Sequence, residues 1–134
     1  MNRSRDYFEM TERLAAGIES KRETVCRLRD LAGRCTSVPE AAPGGGNPVR
    51  RPMADIIDRI ADIEKEIEKA GETVVSRRAK EIEAISCLED GRERAVLTLR
   101  YIDGLNMYDT AGELDISTPT AYRLRASAFS KLKI

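Results

Sequence analysis

Apolar side chains recur every three or four residues along two long segments of the chain, as they do on one face of an α-helix. The first segment runs from Asp6 to about Arg34 and contains no proline. Its stripe consists of Tyr7, Met10, Leu14, Ile18, Lys21, Val25, Leu28, Ala32 and Cys35. Because the stripe is narrow, it predicts a helix that packs in a coiled-coil seam, with the stem of Lys21 lying along the partner helix.

The second periodic segment begins at Met53, and its stripe consists of Met53, Ile56, Ile60, Ile63, Ile67, Ala70 and Val74. After Val74 the pattern predicts a shift of one position, through Val75, to Ile82, Ile85 and Leu88, as at a stutter or a small bend. The two segments are of similar length, on the order of 45 Å or more each at 1.5 Å per residue. They predict an antiparallel helical hairpin over residues 1–89.

The segment between the two stripes has a composition that neither a helix nor a central strand tolerates. Residues 36–52 (TSVPEAAPGGGNPVRRP) contain four of the five prolines and three consecutive glycines. We therefore expect a flexible loop at 36–52. The glycines are not expected to bind a nucleotide, because no strand precedes them and no Lys-Ser or Lys-Thr pair follows them.

Residues 90–134 contain three shorter helical patterns, which are separated by very short breaks. Each pattern starts with residues that favour helix N-termini, namely Asp90 with Glu93, Asn106 with Asp109, and Ser117 or Thr118 with Pro119. Apolar positions then follow at helical spacing: Ala95, Val96, Leu99 and Ile102; Leu105, Met107, Ala111 and Leu114; Ala121, Leu124, Ala128 and Leu132. These residues predict a separate three-helix domain.

The connection between the second and third of these helices is short enough to predict a helix-turn-helix. Asp115, Ile116 and Ser117 leave room only for a tight turn. Such a turn needs a small residue where the helices cross, which Ala111 provides, and an apolar residue that closes the core, which Ile116 provides. The residue before Ile116 often needs a positive φ, and Asp115 tolerates that conformation better than most residues.

This segment resembles region four of the sigma-70 family, the domain that reads an upstream promoter element. The resemblance extends over GRERAVLTLRYIDGLNMYDTAGELDISTPTAYRLRASAFSKL and is closest in RERAVLTLRY, in LDIS and in LRASAFSKL. The chain departs from the family pattern at Thr110, where an aliphatic residue is usual, at Gly112 and at Asp115. The resemblance implies that residues 90–134 form a sigma region-four-like helix-turn-helix domain that binds DNA.

The layout of the whole chain, a helical hairpin with a Pro/Gly loop before such a domain, is similar to the phage and prophage late-gene regulators of the ArpU and RinA kind. In that resemblance, Leu97 to Leu105 (LTLRYIDGL) corresponds to the family's helix and turn. The overall expectation is therefore an all-α chain with a long coiled-coil-like hairpin at 1–89 and a helix-turn-helix domain at 90–134.

The resemblance to region four implies that the third helix carries the DNA-binding residues. Ala121 and Leu124 are expected to point into the core. Thr118, Thr120, Tyr122 and Arg123 would face base edges. Arg123 would pair with a guanine, and the threonines would contact a thymine methyl group or accept a water bridge. Arg125 and Lys131 would contact phosphates.

The distribution of charge also favours the third helix as the DNA-binding element. The chain has a formal net charge of zero, but residues 52–89 carry six basic and ten acidic side chains. From Ser117 to Ile134 there are four basic residues and no acid, namely Arg123, Arg125, Lys131 and Lys133. A local positive field of this kind suits a phosphate surface.

Composition argues against an enzyme, a metal protein and a membrane protein. The 134 residues include no histidine, which excludes His-based general base catalysis and His-Cys zinc sites. Cys26, Cys35 and Cys87 form no CxxC pair, so we expect reduced cysteines that act as small apolar residues. No apolar run is long enough to cross a membrane or to form a signal peptide. A cytoplasmic protein without cofactor, metal or catalytic residues is expected.

We therefore expect a sequence-specific DNA-binding transcription regulator. Its expected partners are double-stranded DNA, a second copy bound through the hairpin, and RNA polymerase as a further candidate. One alternative is a phage DNA-packaging protein similar to a terminase small subunit, for which light scattering would detect a ring. Another is an interaction protein that binds polymerase or a sigma factor through its acidic second helix and has no salt-dependent affinity for DNA.

Overall fold

The chain is all-α in the computed structural model, which describes residues 2–37 and 50–134. The helices of this described part are α1 (Arg3–Ser37), α2 (Arg50–Ser86), α3 (Gly91–Leu97), α4 (Met107–Glu113) and α5 (Thr118–Lys131). A π-helical segment, Thr98–Ile102, continues α3. The all-α prediction is confirmed. The ends of the loop predicted at 36–52 belong to α1 and α2, and its remainder, residues 38–49, lies outside the described residues.

The chain divides into two compact units. Unit 1 consists of Met1–Leu14 and Thr73–Ile134, and unit 2 consists of Ala15–Glu72. Unit 1 therefore contains the beginning of α1 and the end of α2 in addition to the three short helices. The predicted domain boundary between residues 89 and 90 stays a prediction.

In unit 2, the stripes predicted from periodicity are the least exposed positions of α1 and α2. Ile18, Val25 and Ile63 are buried, and the other stripe positions with described side chains are partly buried. Lys21 pairs with Glu66 across 3.8 Å, and Arg29 pairs with Glu64. The arginine, which comes later in α1, pairs with the glutamate that comes earlier in α2. This order is that of two antiparallel helices. Because these ion pairs are exposed, we assign them little stabilising free energy.

The core of unit 1 is built around three aromatic rings that come from distant parts of the sequence. The rings of Phe8, Tyr101 and Phe129 make edge-to-face contacts, with centroids 5.3 to 5.4 Å apart. The other buried members of this cluster are Ile85, Leu88, Leu97, Ala128 and Leu132. The predicted stripe was wrong at the start of α1, because Phe8 is fully buried whereas Met10 is 44% exposed.

A second, smaller cluster lies between α3, α4 and α5. Its buried members are Val96, Met107, Ala111 and Ala121, and Leu114, Ile116 and Leu124 pack against it. The predicted roles of Ala111 at the helix crossing and of Ile116 in the turn are consistent with these positions. Thr110, which stands where an aliphatic residue is usual, is fully buried, and its hydroxyl has no hydrogen-bond partner among the described residues.

The predicted shift of the α2 stripe is wrong at Val75 and Ile82, whereas Ile85 and Leu88 are buried as predicted. Val75 and Ile82 are 70% and 50% exposed, and the buried side of α2 continues from Val74 to Glu81 and then to Ile85. A polar layer therefore occupies this part of the helix pair. Its side chains satisfy one another, so the apolar periodicity does not detect it.

The polar layer is held by specific contacts within unit 1. Arg77 donates from Nε to the Thr11 hydroxyl and from Nη2 to the Tyr7 carbonyl, at 2.9 Å each. The guanidinium of Arg77 also lies 3.8 Å from the centroid of the Tyr7 ring. The carboxylate of Glu81 is fully buried and accepts from Arg78 at 3.2 Å.

The free energy of unfolding is expected to depend on pH through Glu81. Burial raises the pKa of Glu81 from 4.5 to about 7, against the opposing charges of Arg78 and Arg77. The folded chain then retains a proton that the unfolded chain has lost, so this contribution to stability is complete below pH 4.5 and is lost as the pH rises through about 7. The contribution of Glu81 to the free energy of unfolding is at most on the order of 3 kcal/mol, because one pKa unit corresponds to about 1.4 kcal/mol.

Urea denaturation of wild type and Glu81→Gln between about pH 5 and pH 8 measures this contribution, since the amide cannot titrate. The wild-type free energy of unfolding should fall over this range, and that of Glu81→Gln should change much less. Glu83→Gln, which alters an exposed carboxyl on the same helix, is the control. Equal pH dependence in wild type and Glu81→Gln would contradict the prediction.

The cysteines with described side chains are not core residues. Cys26 and Cys87 are free and exposed, so the expectation that they act as small apolar residues is wrong for these two. The side chain of Cys35 lies outside the described part.

None of the described helices combines the length and the apolar character that a membrane-spanning helix requires.

Candidate nucleic-acid interface

The turn between α4 and α5 has the geometry that the sequence predicts. Asp115 has a φ of 54°, in the left-handed region, and it is the one non-glycine residue of the described chain with positive φ. The amide of Ile116 donates to the carbonyl of Ala111 at 3.1 Å, which closes the end of α4. Ser117 then caps α5 by accepting from the amide of Thr120 at 3.3 Å, and Pro119 lies in the first turn. The caps predicted at Asp90, Asn106 and Ser117 are all present.

Replacing Asp115 with glycine is expected to raise the free energy of unfolding by up to about 1 kcal/mol, because glycine reaches positive φ without a steric penalty. Asp103→Gly is the matched control, because the φ of Asp103 is −83°. This variant should lower the free energy of unfolding by about 0.5–1 kcal/mol. Thermal or urea unfolding of both variants provides the comparison. A loss of stability in Asp115→Gly as large as in Asp103→Gly would contradict the strained-turn account.

Helix α5 presents one face to the core and the opposite face to solvent. Ala121, Ala128 and Phe129 are buried and Leu124 is partly buried, which confirms the inward prediction for Ala121 and Leu124. At about 100° per residue, Arg123 lies roughly opposite this buried face, and Tyr122 lies about 100° from Arg123, on one flank of the helix. Both are exposed, Tyr122 by 47% of its surface.

The two predicted threonines lie at the flanks of this outer face and are partly buried. The hydroxyl of Thr120 is 2.7 Å from that of Ser117, so it contributes to the N-terminal cap of the helix. Of the four residues predicted to face bases, Tyr122 and Arg123 are therefore exposed, whereas Thr118 and Thr120 are partly buried.

The two residues predicted to contact phosphates are both engaged within the protein. The guanidinium of Arg125 lies 4.7 Å from the centroid of the Tyr122 ring, and the residue is partly buried. Lys131 donates from Nζ to Glu93 at 3.0 Å. Arg123, by contrast, forms no ion pair or hydrogen bond with any described residue, so its guanidinium is free to meet a ligand.

Glu93 has a role that the sequence pattern did not predict. Asp90 caps α3 by accepting from the amides of Arg92 and Glu93, but the Glu93 carboxylate does not return to the cap. It is almost fully buried and accepts from the Ser127 hydroxyl at 2.6 Å as well as from Lys131. Its second oxygen has no partner among the described residues. The spacing of Asp90 and Glu93 is the same whether the Glu93 side chain returns to the cap or reaches α5. The sequence pattern could therefore not distinguish the two contacts.

An acidic surface borders the outer face of α5 on the side of α4. Asp109, Glu113 and Asp115 are exposed there, and Tyr108 is 76% exposed. A groove of about 520 Å³ runs past Asp109 and Glu113 to Ser117 and Thr118. Because these carboxylates repel phosphates, a nucleic acid on α5 is expected to lie away from this groove and therefore away from Thr118, which argues against the predicted base contact of Thr118.

Comparison with known protein families gives a match to a family described as a protein of unknown function, DUF1492. The match covers residues 40–133, which is more than two thirds of the chain. The chain belongs to the DUF1492 family. The region shared with this family includes the whole of α2 to α5, and with them Tyr122, Arg123 and the turn at Asp115. Neither the curated proteins nor the solved structures gave a significant match to this DUF1492 protein.

Proposed function

We propose that this DUF1492 protein is a sequence-specific DNA-binding transcription regulator that binds duplex DNA through α5. The observation that carries the proposal is the exposure of the consecutive residues Tyr122 and Arg123 on the solvent side of α5. Ala121 and Leu124 anchor the opposite face, and the turn at Asp115 sets α5 against α4.

In the proposed complex the N-terminal half of α5 enters the major groove, whose base edges carry a distinct pattern of donors and acceptors for each base pair. The five N–H donors of Arg123 suit bidentate pairing with O6 and N7 of a guanine. The absence of any acid between Ser117 and Ile134 removes a source of repulsion from the phosphates on either side.

The long helices are proposed to bring two copies together and to offer a surface to RNA polymerase. Outside the two stripes, Leu31 and Ile57 remain 47% and 55% exposed in unit 2. A second copy would cover more of this apolar surface. The similarity of the layout to phage and prophage late-gene regulators supports a role in phage or prophage transcription.

Selection of bound sites from a pool of random duplexes tests the proposal. The full chain should enrich a common sequence, and binding to that sequence should be stronger than to a scrambled duplex of the same composition. Enrichment without a common sequence would reject sequence-specific regulation. No retention of any duplex would favour the interaction-protein alternative, and a ring-sized particle in light scattering would favour the packaging alternative.

A further inference from the structure

The cations of α5 differ in what they can offer to DNA. The charge of Lys131 is offset by the Glu93 carboxylate, whose side chain is 3% exposed. If Lys131 turned to a phosphate, Glu93 would be left as a buried charge supported only by Ser127, which is costly. Lys131 therefore contributes less to phosphate binding than its formal charge suggests.

Arg125 is constrained in a different way. Its guanidinium stacks on the ring of Tyr122, three residues earlier on the helix, at 4.7 Å. Burial raises the pKa of the Tyr101 hydroxyl, and the charge of Arg125 opposes that rise. Arg125 is thus partly buried and stacked on the Tyr122 ring, which restricts the positions of that ring.

The result is an exposed aromatic ring stacked on Arg125 at the flank of α5, next in sequence to an arginine that engages no described residue. A stacked guanidinium restricts the rotamers of the ring, so less entropy is lost when the ring meets a ligand. In the major groove, the apolar group that such a ring can contact is the 5-methyl group of thymine. An ordinary surface tyrosine without the stacked arginine would have no fixed position from which to discriminate.

We propose that Tyr122, positioned by Arg125, contacts the 5-methyl group of a thymine next to the base pair that Arg123 reads. The ligand is then a duplex in which a thymine occupies a defined place in the recognised site. Arg125 is a positioning residue in this account and not a phosphate contact. The inference rests on the proposed function and adds to it the base that Tyr122 recognises.

Replacement of each thymine of the selected duplex by deoxyuridine, one at a time, removes only the methyl group. For the wild type, one position should lose about fourfold in affinity, the value expected for one buried methyl group. Tyr122→Ala and Arg125→Ala should bind the thymine and deoxyuridine duplexes equally. Tyr122→Phe, which keeps the ring, and Arg123→Ala, which leaves the pair intact, should retain the preference.

A salt series on Arg125→Ala separates the two roles of this arginine. A positioning residue leaves the slope of log K against log salt unchanged, whereas loss of a phosphate contact lowers it by about one. The inference is overturned if no thymine position is sensitive, or if the preference for thymine survives in Tyr122→Ala or in Arg125→Ala. A lowered salt slope in Arg125→Ala would also overturn it, because Arg125 would then be a phosphate contact. Absence of salt-dependent binding by the wild type would instead reject the proposed function. Urea unfolding of each variant checks that it is folded.

Discussion

Replacing Phe8 with alanine is expected to lower the free energy of unfolding by about 3–5 kcal/mol, the range for a large buried ring. Phe8 is fully buried and contacts both Tyr101 and Phe129 edge to face, with centroids 5.3 Å away. Truncation would leave a cavity at the centre of the largest core cluster and would remove two aromatic contacts. Because that core is formed by α1, α2 and the C-terminal segment together, the loss should affect unit 1 as a whole.

Met10 provides the matched control for Phe8. It lies two residues further along α1 and is 44% exposed, although periodicity predicts it in the stripe. Met10→Ala should change the free energy of unfolding by no more than about 0.5 kcal/mol. Urea denaturation of the full chain, followed by circular dichroism, measures both variants. Similar losses in the two would indicate that α1 does not pack through Phe8.

Replacing Arg123 with alanine is expected to weaken binding to the selected duplex by about 1–3 kcal/mol and to relax specificity at one base pair. Arg123 is exposed on the outer face of α5 and engages no described residue, so its loss should leave the fold intact. A guanidinium that pairs with a guanine contributes only where that guanine is present. The loss should therefore be large for the selected site and small for a duplex with that base pair exchanged.

Arg27 serves as the control for Arg123, since its side chain is 74% exposed on α1 and carries the same charge. Arg27→Ala should leave affinity and specificity near those of the wild type. Fluorescence anisotropy with the labelled selected duplex measures the affinity of each variant. The same measurement with the duplex in which that base pair is exchanged gives the specificity. If Arg123→Ala weakens all duplexes equally, Arg123 contacts a phosphate, and if it weakens none, the outer face of α5 is not the interface.

Local signals in the sequence were sufficient for the parts of the fold that depend on neighbours in the chain. The caps at Asp90, Asn106 and Ser117 use hydrogen bonds that span two or three residues. The turn at Asp115 follows from the same kind of short-range chemistry, because it requires only a tolerated φ and an apolar residue after it. Apolar periodicity also found the buried side of both long helices in unit 2.

Contacts between residues far apart in the sequence were not predictable in this way. The stripe missed Phe8 because its partners, Tyr101 and Phe129, lie near the other end of the chain. It also failed at Glu81, where Arg78 and the polar groups around Arg77 and Thr11 make a buried carboxylate tolerable. Periodicity assumes that buried means apolar, so a satisfied polar layer is read as solvent-exposed.

Contacts between distant residues also decide which charges of the candidate interface are available to a ligand, and the sequence does not show these contacts. The sequence counts Arg125 and Lys131 as cations available to phosphates. Their partners in the fold, the Tyr122 ring and the Glu93 carboxylate, reduce that availability. Glu93 is 38 residues from Lys131, so sequence spacing gives no indication of the pair.

The affinity of the full chain for the selected duplex, measured as a function of salt concentration, tests the central claim most directly. If α5 binds the major groove, log K should fall linearly with log salt with a slope of about −0.9 per neutralised phosphate, and Arg123→Ala should lose affinity for the selected site without losing that salt dependence. A wild-type chain that binds no duplex at about 50 mM salt, or whose binding is insensitive to salt, would contradict the claim.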